Sequence, residues 1–144
     1  MALWAIYASP LLMSNNLERL GRAEREILTN PHVIAVNQDI LGEMGSLLLS
    51  TGNIRVYSRT VLPRSGAYGS QALAIVNRAE GGAPSPYSFN TSIADLDSEA
   101  GYYITDLYDN NRLVTIVRPG DTLTGTVNPS GVVFLKATVI GANS

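Results

Sequence analysis

The sequence predicts a mainly β protein whose later part, residues 46–144, forms an antiparallel β-sandwich of the Greek-key type. From residue 46 onward, short runs rich in β-branched and aromatic residues alternate with turn-forming residues at the spacing typical of sandwiches. Residues 1–45 instead show helical periodicity around one short apolar run. With 144 residues, of which 45% are hydrophobic and 15% charged, the chain has the composition of a globular protein with a sizeable core.

Eight strands are predicted in the later part by alternation with period two. They cover residues 47–50, 54–59, 71–77, 87–93, 102–108, 112–117, 122–127 and 132–139. In the last strand the core-facing residues are expected to be Val133, Leu135, Ala137 and Val139, with Phe134 on the other face. Asp109-Asn110-Asn111 predicts a tight hairpin, because these side chains tolerate positive φ. Residues 128–131, Asn-Pro-Ser-Gly, predict a type I turn.

The first 45 residues predict a helix, a short buried strand and a second helix. The run MALWAIYA favours a helix that ends near Ser9, because Pro10 disfavours helical geometry in the residue before it. Residues 11–13, apolar on both faces, are typical of a covered parallel strand. Asn15 and Asn16 then precede a helical pattern as candidate caps. The apolar face of that helix consists of Leu17, Leu20, Ala23, Ile27 and Leu28.

The apolar start of the chain fits neither a signal peptide nor a membrane helix. No Lys or Arg precedes Arg19, so the basic region of a signal peptide is missing. A membrane helix needs about 20 apolar residues, and Ser9, Pro10 and Ser14 interrupt this run. We interpret the run as the interior of a larger core.

Composition excludes several classes of function. Ten Lys and Arg against twelve Asp and Glu give a net charge of −2, without a basic stripe, so no nucleic-acid partner is expected. The chain has no cysteine and one histidine, His32. Cysteine nucleophiles and thiolate metal sites are therefore excluded, and a His-based zinc site or Ser-His triad is disfavoured. We predict no metal and no cofactor.

Two N-terminal motifs carry a family resemblance. MALWAIYASPLLMSNNL, followed by EILTNPHVIAVNQDILG, resembles the closing part of the catalytic barrel of glycoside hydrolase family 27, the α-galactosidases and α-N-acetylgalactosaminidases. RVYSR, ALAIVNR and VNPSGVVFLKA are similar to strands of the family's C-terminal β domain. The resemblance implies that residues 1–45 are the end of a (β/α)8 TIM barrel, with strand eight at residues 10–14 and helix eight near residues 22–29. Residues 46–144 would be the C-terminal β domain.

The resemblance implies a retaining exo-glycosidase that hydrolyses terminal α-galactosyl or α-N-acetylgalactosaminyl residues. Such an enzyme needs two carboxylates about 5–5.5 Å apart. The family places its aspartates on earlier barrel strands, and no position here matches their motifs. We therefore predict no catalytic residue, and an inactive chain when it stands alone. The alternative is a non-catalytic carbohydrate-binding or structural β-sandwich module, with Tyr57, Tyr87 or Tyr102 as stacking platforms.

Asn15 and Asn16 are the residues that we expect near a substrate, because the resemblance puts their loop on the catalytic side of the barrel. Helix capping is the favoured role for both. The sequence departs from the family pattern at two positions: Asn16 stands where Asp is usual, and Ile40 where Pro is usual. Asn90-Thr91-Ser92 is a candidate N-glycosylation site.

The other polar candidates are expected to be structural. Asp39 is interpreted as capping or orienting the segment that leaves the barrel. Asp95, Asp97 and Glu99 lack the glycine and later glutamate of an EF-hand and are interpreted as surface charges. Residues expected on solvated or packed surfaces are Glu18, Glu24, Glu26, His32 and the strand tyrosines Tyr102 and Tyr103.

The resemblance also implies partners and compartments. The full-length enzyme would act on α-galactoside-containing glycans or glycolipids in a secreted, lysosomal or vacuolar setting. A homodimer is a candidate assembly, and the oligomeric state stays open. No membrane span is predicted. The choice between galactose and N-acetylgalactosamine stays open, because the family recognises the 2-substituent through earlier loops.

Overall fold

The computed structural model describes residues 1–12, 14 and 16–142, which form three short helices followed by eight strands. The helices are α1 Ala2–Ile6, α2 Arg22–Leu28 and α3 Pro31–Asn37, with 3-10 turns at Leu17–Arg19 and Thr91–Ala94. The strands are β1 Ser46–Thr51, β2 Ile54–Ser65, β3 Tyr68–Asn77, β4 Ser85–Asn90, β5 Tyr102–Asp106, β6 Arg112–Val117, β7 Thr122–Val127 and β8 Val132–Val139.

Two antiparallel sheets form the predicted sandwich. The larger sheet has the strand order β1-β2-β3-β8-β5-β6, and the smaller one pairs β4 with β7. The chain crosses between the sheets before and after both β4 and β7, so consecutive strands are not always neighbours. The mainly β fold is confirmed, and all eight predicted strands are present. Their ends differ in places: β2 continues to Ser65 through a bulge, while Ile93 lies in a 3-10 turn.

The larger sheet separates two hydrophobic cores. The inner core lies between the sheets and includes Leu73 and Ile75 of β3 with Leu135 and Ala137 of β8. The outer core lies on the opposite face. The residues buried there are Ala2, Ala5, Ile6, Val33, Val36, Val61, Ala72, Ala74, Leu107 and Phe134. The predicted alternation in β8 is confirmed, but Phe134 is buried as well, because helices cover the outer face.

Helices α1 and α3 approach the outer face closely because small residues face them. Ala72 and Ala74 of β3 are fully buried beneath the helices. At residue 45 the chain passes so close to the end of α1 and to β2 that only glycine fits. An added Cβ would lie 2.3 Å from the Ser58 carbonyl oxygen and 2.6 Å from the Ile6 Cγ2 atom. The Gly45 N–H also donates to the Ile6 carbonyl at 2.8 Å. These contacts join the helices to the sheet.

Two local predictions were wrong. Residues 10–12 and 14 are not in a strand, because the Leu12 N–H bonds locally to the Pro10 carbonyl at 3.0 Å and no strand in the described part of the chain runs beside them. Met13 lies outside the described residues. Helix α2 forms as predicted, yet none of its residues is buried. The turn at residues 128–131 has positive φ (53°) at Ser130, which is the geometry of type II.

Candidate functional site

The candidate site is the segment of residues 9–16, and its first part is held by Asn37 at the end of α3. After α1 the chain reverses at Ala8, which has φ 51°. The buried Asn37 amide donates to the Ser9 carbonyl at 2.8 Å and to the Trp4 carbonyl at 3.2 Å. Asn37 thus replaces water at two backbone acceptors and fixes the direction in which the loop leaves α1.

Arg59 of β2 joins the ends of both helices. Its guanidinium is 1% exposed, and Nη1 donates to the carbonyls of Ala5, Val36 and Asn37, in the last turns of α1 and α3. Nε donates to the Glu43 carbonyl at 2.7 Å. The last carbonyls of a helix lack partners within the helix and carry the negative end of its dipole, so a cation suits this position.

Charges around Arg59 compensate part of its burial. Burial lowers the pKa of Arg59, and the carboxylates of Asp39 and Glu43 oppose this effect. Asp39 itself accepts from the N–H groups of Leu41 at 3.0 Å and Leu62 at 2.9 Å. It therefore ties the segment after α3 to β2, as its interpretation as an orienting residue predicted. Burial also lowers the pKa of Lys136, again with Asp39 opposing.

Asn16 caps the 3-10 turn Leu17–Arg19. Its Oδ1 atom accepts from the Glu18 N–H at 3.1 Å, and the side chain is exposed. The capping role favoured by the sequence is confirmed, whereas a substrate contact stays a prediction. Asn15 lies outside the described residues. The exposed side of this region is apolar: Leu12 is 80% and Trp4 45% exposed.

The tyrosines proposed as stacking platforms do not fit that role. Tyr102 is fully buried and Tyr87 nearly so, both in the inner core. Tyr57 is half-buried and meets Tyr7 edge-on, with ring centroids 6.0 Å apart. These three assignments were wrong because the strand pattern leaves the tyrosine rings against other elements. Tyr103 alone of the strand tyrosines considered is substantially exposed.

The remaining candidates have the expected structural positions. Glu18, Glu24 and Glu26 are exposed, and Glu26 accepts from Arg22 at 2.8 Å. His32 is half-buried in the first turn of α3. Within the described ranges, no three His, Asp or Glu side chains gather as metal ligands. The helices of this part of the chain are also too short and insufficiently apolar to cross a membrane.

Sequence reasoning missed α3 and Arg59. Asn30 caps α3 by accepting from the N–H groups of His32 and Val33, and Pro31 occupies the first helical position. That Asn-Pro pair is a helix-start signal, which we interpreted only as the end of α2. Arg59 gives a weaker signal, since an arginine at a strand position does not reveal that two helices end beside it.

Comparisons with known proteins agree with this architecture. Residues 1–39 match the family profile described as alpha galactosidase A, and residues 51–137 match the alpha galactosidase C-terminal beta sandwich domain. The chain is 37% identical over 137 residues to an alpha-N-acetylgalactosaminidase of Gallus gallus, covering 93% of this chain and 32% of that protein. It is 36% identical over 140 residues to alpha-galactosidase A of Homo sapiens, and the match covers 94% of this chain and 31% of that protein.

Solved structures give the same result. Alpha-galactosidase I from Mortierella vinacea superposes with a TM-score of 0.80 at 21% identity, over 99% of this chain and 35% of that one. A putative alpha-galactosidase from Bacteroides fragilis superposes with a TM-score of 0.75 at 27% sequence identity. The match covers 96% of this chain and 27% of that chain. The chain spans about a third of the length of the curated relatives, 32% and 31% for the two named above. It belongs to glycoside hydrolase family 27, the α-galactosidase family, and corresponds to the C-terminal region of those enzymes.

Proposed function

We propose that the chain is the C-terminal region of a retaining exo-glycosidase that removes terminal α-galactosyl or α-N-acetylgalactosaminyl residues from glycans or glycolipids. The observation that carries the proposal is the pair of adjacent profile matches, to a catalytic α-galactosidase region over residues 1–39 and to its β-sandwich over residues 51–137. Residues 1–45 then close a (β/α)8 barrel, and residues 46–144 form the β domain behind it.

The exposed apolar side chains near the N-terminus support this division. Leu12, Ile40 and Met44 are all more than 70% exposed, and α2 buries no residue. Exposed apolar surface of this kind marks a contact with another element. In the proposal, earlier strands and helices of the barrel cover it, and the chain contributes the closing loop with Asn15 and Asn16.

The reacting carboxylates lie outside this chain in the proposal. Several carboxylates here already accept from backbone N–H groups of their own or neighbouring turns. Asp39 binds Leu41 and Leu62, Asp106 binds Tyr108, and Asp121 binds Arg118. A general acid or a nucleophile must instead face the scissile bond, opposite a second carboxylate about 5 Å away.

Two assays with p-nitrophenyl α-galactoside and the α-N-acetylgalactosaminide test the proposal. The 144-residue chain alone is expected to release no p-nitrophenol above buffer, and turnover would contradict the placement of the carboxylates. A chimaera in which the chain replaces the matching third of the Gallus gallus relative is expected to hydrolyse the substrate of that relative. A folded but inactive chimaera would count against the role assigned here. A retaining enzyme releases the α-anomer of the sugar first, which NMR detects.

Asn90 is the proposed glycosylation site for a secreted or lysosomal form. It is exposed, and its Oδ1 atom accepts from the N–H and the hydroxyl of Ser92 in an Asx turn. Expression in a secretory host is expected to add a glycan that a peptide-N-glycosidase removes. The variant Ser92→Ala destroys the sequon and should lack the glycan; an unmodified wild-type chain would refute the assignment.

We also propose a homodimer, supported by the exposed edge strand β6. Its outer edge pairs with no strand in the part of the chain that the structure describes, and Leu113, Val114 and Ile116 are each about half exposed. Edge strands of this kind pair readily with another chain. Sedimentation equilibrium should give a dimer that Val114→Lys dissociates, and a monomer at high concentration would contradict the idea.

A further inference from the structure

A polar groove opens beside the end of the β2–β3 hairpin, on the inner-core side of the larger sheet. It encloses about 280 Å³. Its lining residues are Thr60, Arg64, Ala67, Tyr68, Gly69, Gln71, Asp95 and Asp97. One wall is the end of the β2–β3 hairpin, and the other is the loop after the 3-10 turn Thr91–Ala94. The volume lies just below the range of about 300–1,000 Å³ that is typical of ligand pockets.

Both walls are held rigidly. Between Asp95 and Asp97, Leu96 is fully buried in the inner core, so the two carboxylates point away from an anchored residue. The next residue, Ser98, donates its N–H to the buried Tyr102 hydroxyl at 3.3 Å. On the opposite wall, the Ser70 hydroxyl donates to the Pro63 carbonyl at 2.7 Å. Preorganised walls reduce the entropic cost of binding.

Residue 69, which lines the groove, is glycine. A Cβ there would lie 2.8 Å from the Thr60 Cγ2 atom. Beside it, the amide of Gln71, 4% exposed, exchanges hydrogen bonds with the hydroxyls of Ser58 and Thr60. The floor of the groove is therefore polar, and the hydrogen bonds of the Gln71 amide hold its side chain in place. Ligand sites commonly orient their ligand through a few fixed polar groups of this kind.

The charged side chains on the two walls of the groove do not form ion pairs with each other. In the described part of the chain the ion pairs are Arg22–Glu26 and Arg112–Asp109, so Arg64 contacts neither Asp95 nor Asp97 within salt-bridge distance. A ligand between them must both accept from a guanidinium and donate to carboxylates. Sugar hydroxyls do both. An anion in the groove would be repelled by the two carboxylates. A metal cation would be repelled by Arg64 and would find too few oxygen ligands.

We propose that this groove is a saccharide-binding site of the β domain that takes one neutral hexose unit. Arg64 donates to ring hydroxyls, Asp97 and Asp95 accept from them, and Tyr68, with 41% of its surface exposed, offers an aromatic face. The identity of the hexose as galactose-like rests on the proposed function, whereas the site itself does not. For one hexose in an open groove, the dissociation constant is expected on the order of millimolar.

The test is an NMR titration of the ¹⁵N-labelled chain with galactose, N-acetylgalactosamine, glucose and calcium chloride in turn. Galactose is expected to give saturable shifts at the amides of Arg64, Gly69 and Asp97. The variants Arg64→Gln and Asp97→Asn should weaken binding at least tenfold. Gly69→Ala should do the same by filling the floor. Their matched controls, Arg78→Gln and Glu99→Gln, change exposed residues outside the groove and should bind as the wild type does.

Three results would overturn the site: no saturable shift at the groove with any sugar, shifts there with calcium alone, or sugar binding that Arg64→Gln and Asp97→Asn leave unchanged. Stronger binding of glucose than of galactose supports the groove but contradicts the galactoside specificity of the proposed function. Because the titration does not depend on turnover, failure of the hydrolysis assays leaves its result intact.

Discussion

Replacing Arg59 by leucine should detach the N-terminal helices from the sheet before the sheet itself unfolds. Arg59 is 1% exposed and donates to four backbone carbonyls, those of Ala5, Val36, Asn37 and Glu43. Leucine supplies no donor, so buried carbonyls at the ends of both helices would lose their partners. Water reaches such positions only if the helices move away.

The magnitude follows from the contacts. Hydrogen bonds to a charged group contribute about 1.5–3 kcal/mol each, and two of these, to Ala5 and Glu43, are 2.7 Å long. The bonds that Nη1 also makes to the carbonyls of Val36, at 2.5 Å, and Asn37, at 3.3 Å, add to this sum. The buried Nη2 atom, which has no partner among the described residues, subtracts from it. We expect a net loss of about 3–4 kcal/mol. At a urea m-value of about 2 kcal/mol/M, this loss lowers the urea midpoint of unfolding in Arg59→Leu by about 1.5–2 M.

Two probes separate local from global unfolding. Trp4 is the single tryptophan and lies in α1, so its fluorescence reports docking of the helices, whereas circular dichroism reports the sheets. In Arg59→Leu the fluorescence transition should precede the dichroism transition. The control Arg78→Leu, at an exposed position, should stay within about 0.5 kcal/mol of wild type. Coincident transitions in Arg59→Leu with a midpoint near that of wild type would refute the reasoning.

Three further predictions use the same chain. Gly45→Ala places a Cβ 2.3 Å from the Ser58 carbonyl oxygen, so we expect a loss of about 1–3 kcal/mol in urea unfolding; an unchanged midpoint would show that the crossing can relax. Trypsin should cut first at the exposed Arg19, Arg22 or Arg25, with α1 still bound to the sheet in size-exclusion chromatography, and first cleavage inside β2 or β3 would contradict this. Burial raises the pKa of Tyr87, Tyr102 and Tyr108 above the ordinary value, so the unfolded chain loses phenol protons first above about pH 10. Stability should therefore be complete below that pH and fall as pH rises through the folded-state pKa values. Tyr102→Phe should lessen the fall. The pKa of Lys136 is lowered, so Lys136 makes the stability rise with pH just below its unfolded pKa, opposite to the tyrosines. Measuring in a Lys136→Met background removes that contribution.

The strands were predictable from the sequence because their signals are local. Alternation in β8 and the positive-φ pair Asn110 and Asn111 depend on residues next to one another in the chain. The strand expected at residues 10–14 failed for the opposite reason: a strand exists only beside a partner, and residues 10–12 bond locally instead. No local pattern contains that information.

The candidate site was predictable only in part. Asn16 was identified as a cap from its position before a helical pattern, and the structure confirms it. Arg59 and Asn37 were not identified, because their roles depend on three segments that meet only after folding. The groove at Arg64 likewise combines a hairpin with a loop about 30 residues away in the sequence. For the same reason, exposure of Tyr57, Tyr87 and Tyr102 was predicted wrongly.

The burial of β3 and β8 on both faces limits how this protein can be dissected. Excising residues 46–144 as an independent module would leave Val61, Ala72, Ala74 and Phe134 without the helices that shield them. Such a module would need polar substitutions on this exposed apolar face to stay monomeric at high concentration. Engineers who wish to borrow the sandwich as a fusion partner should therefore carry α1 and α3 along with it, or redesign the four positions together.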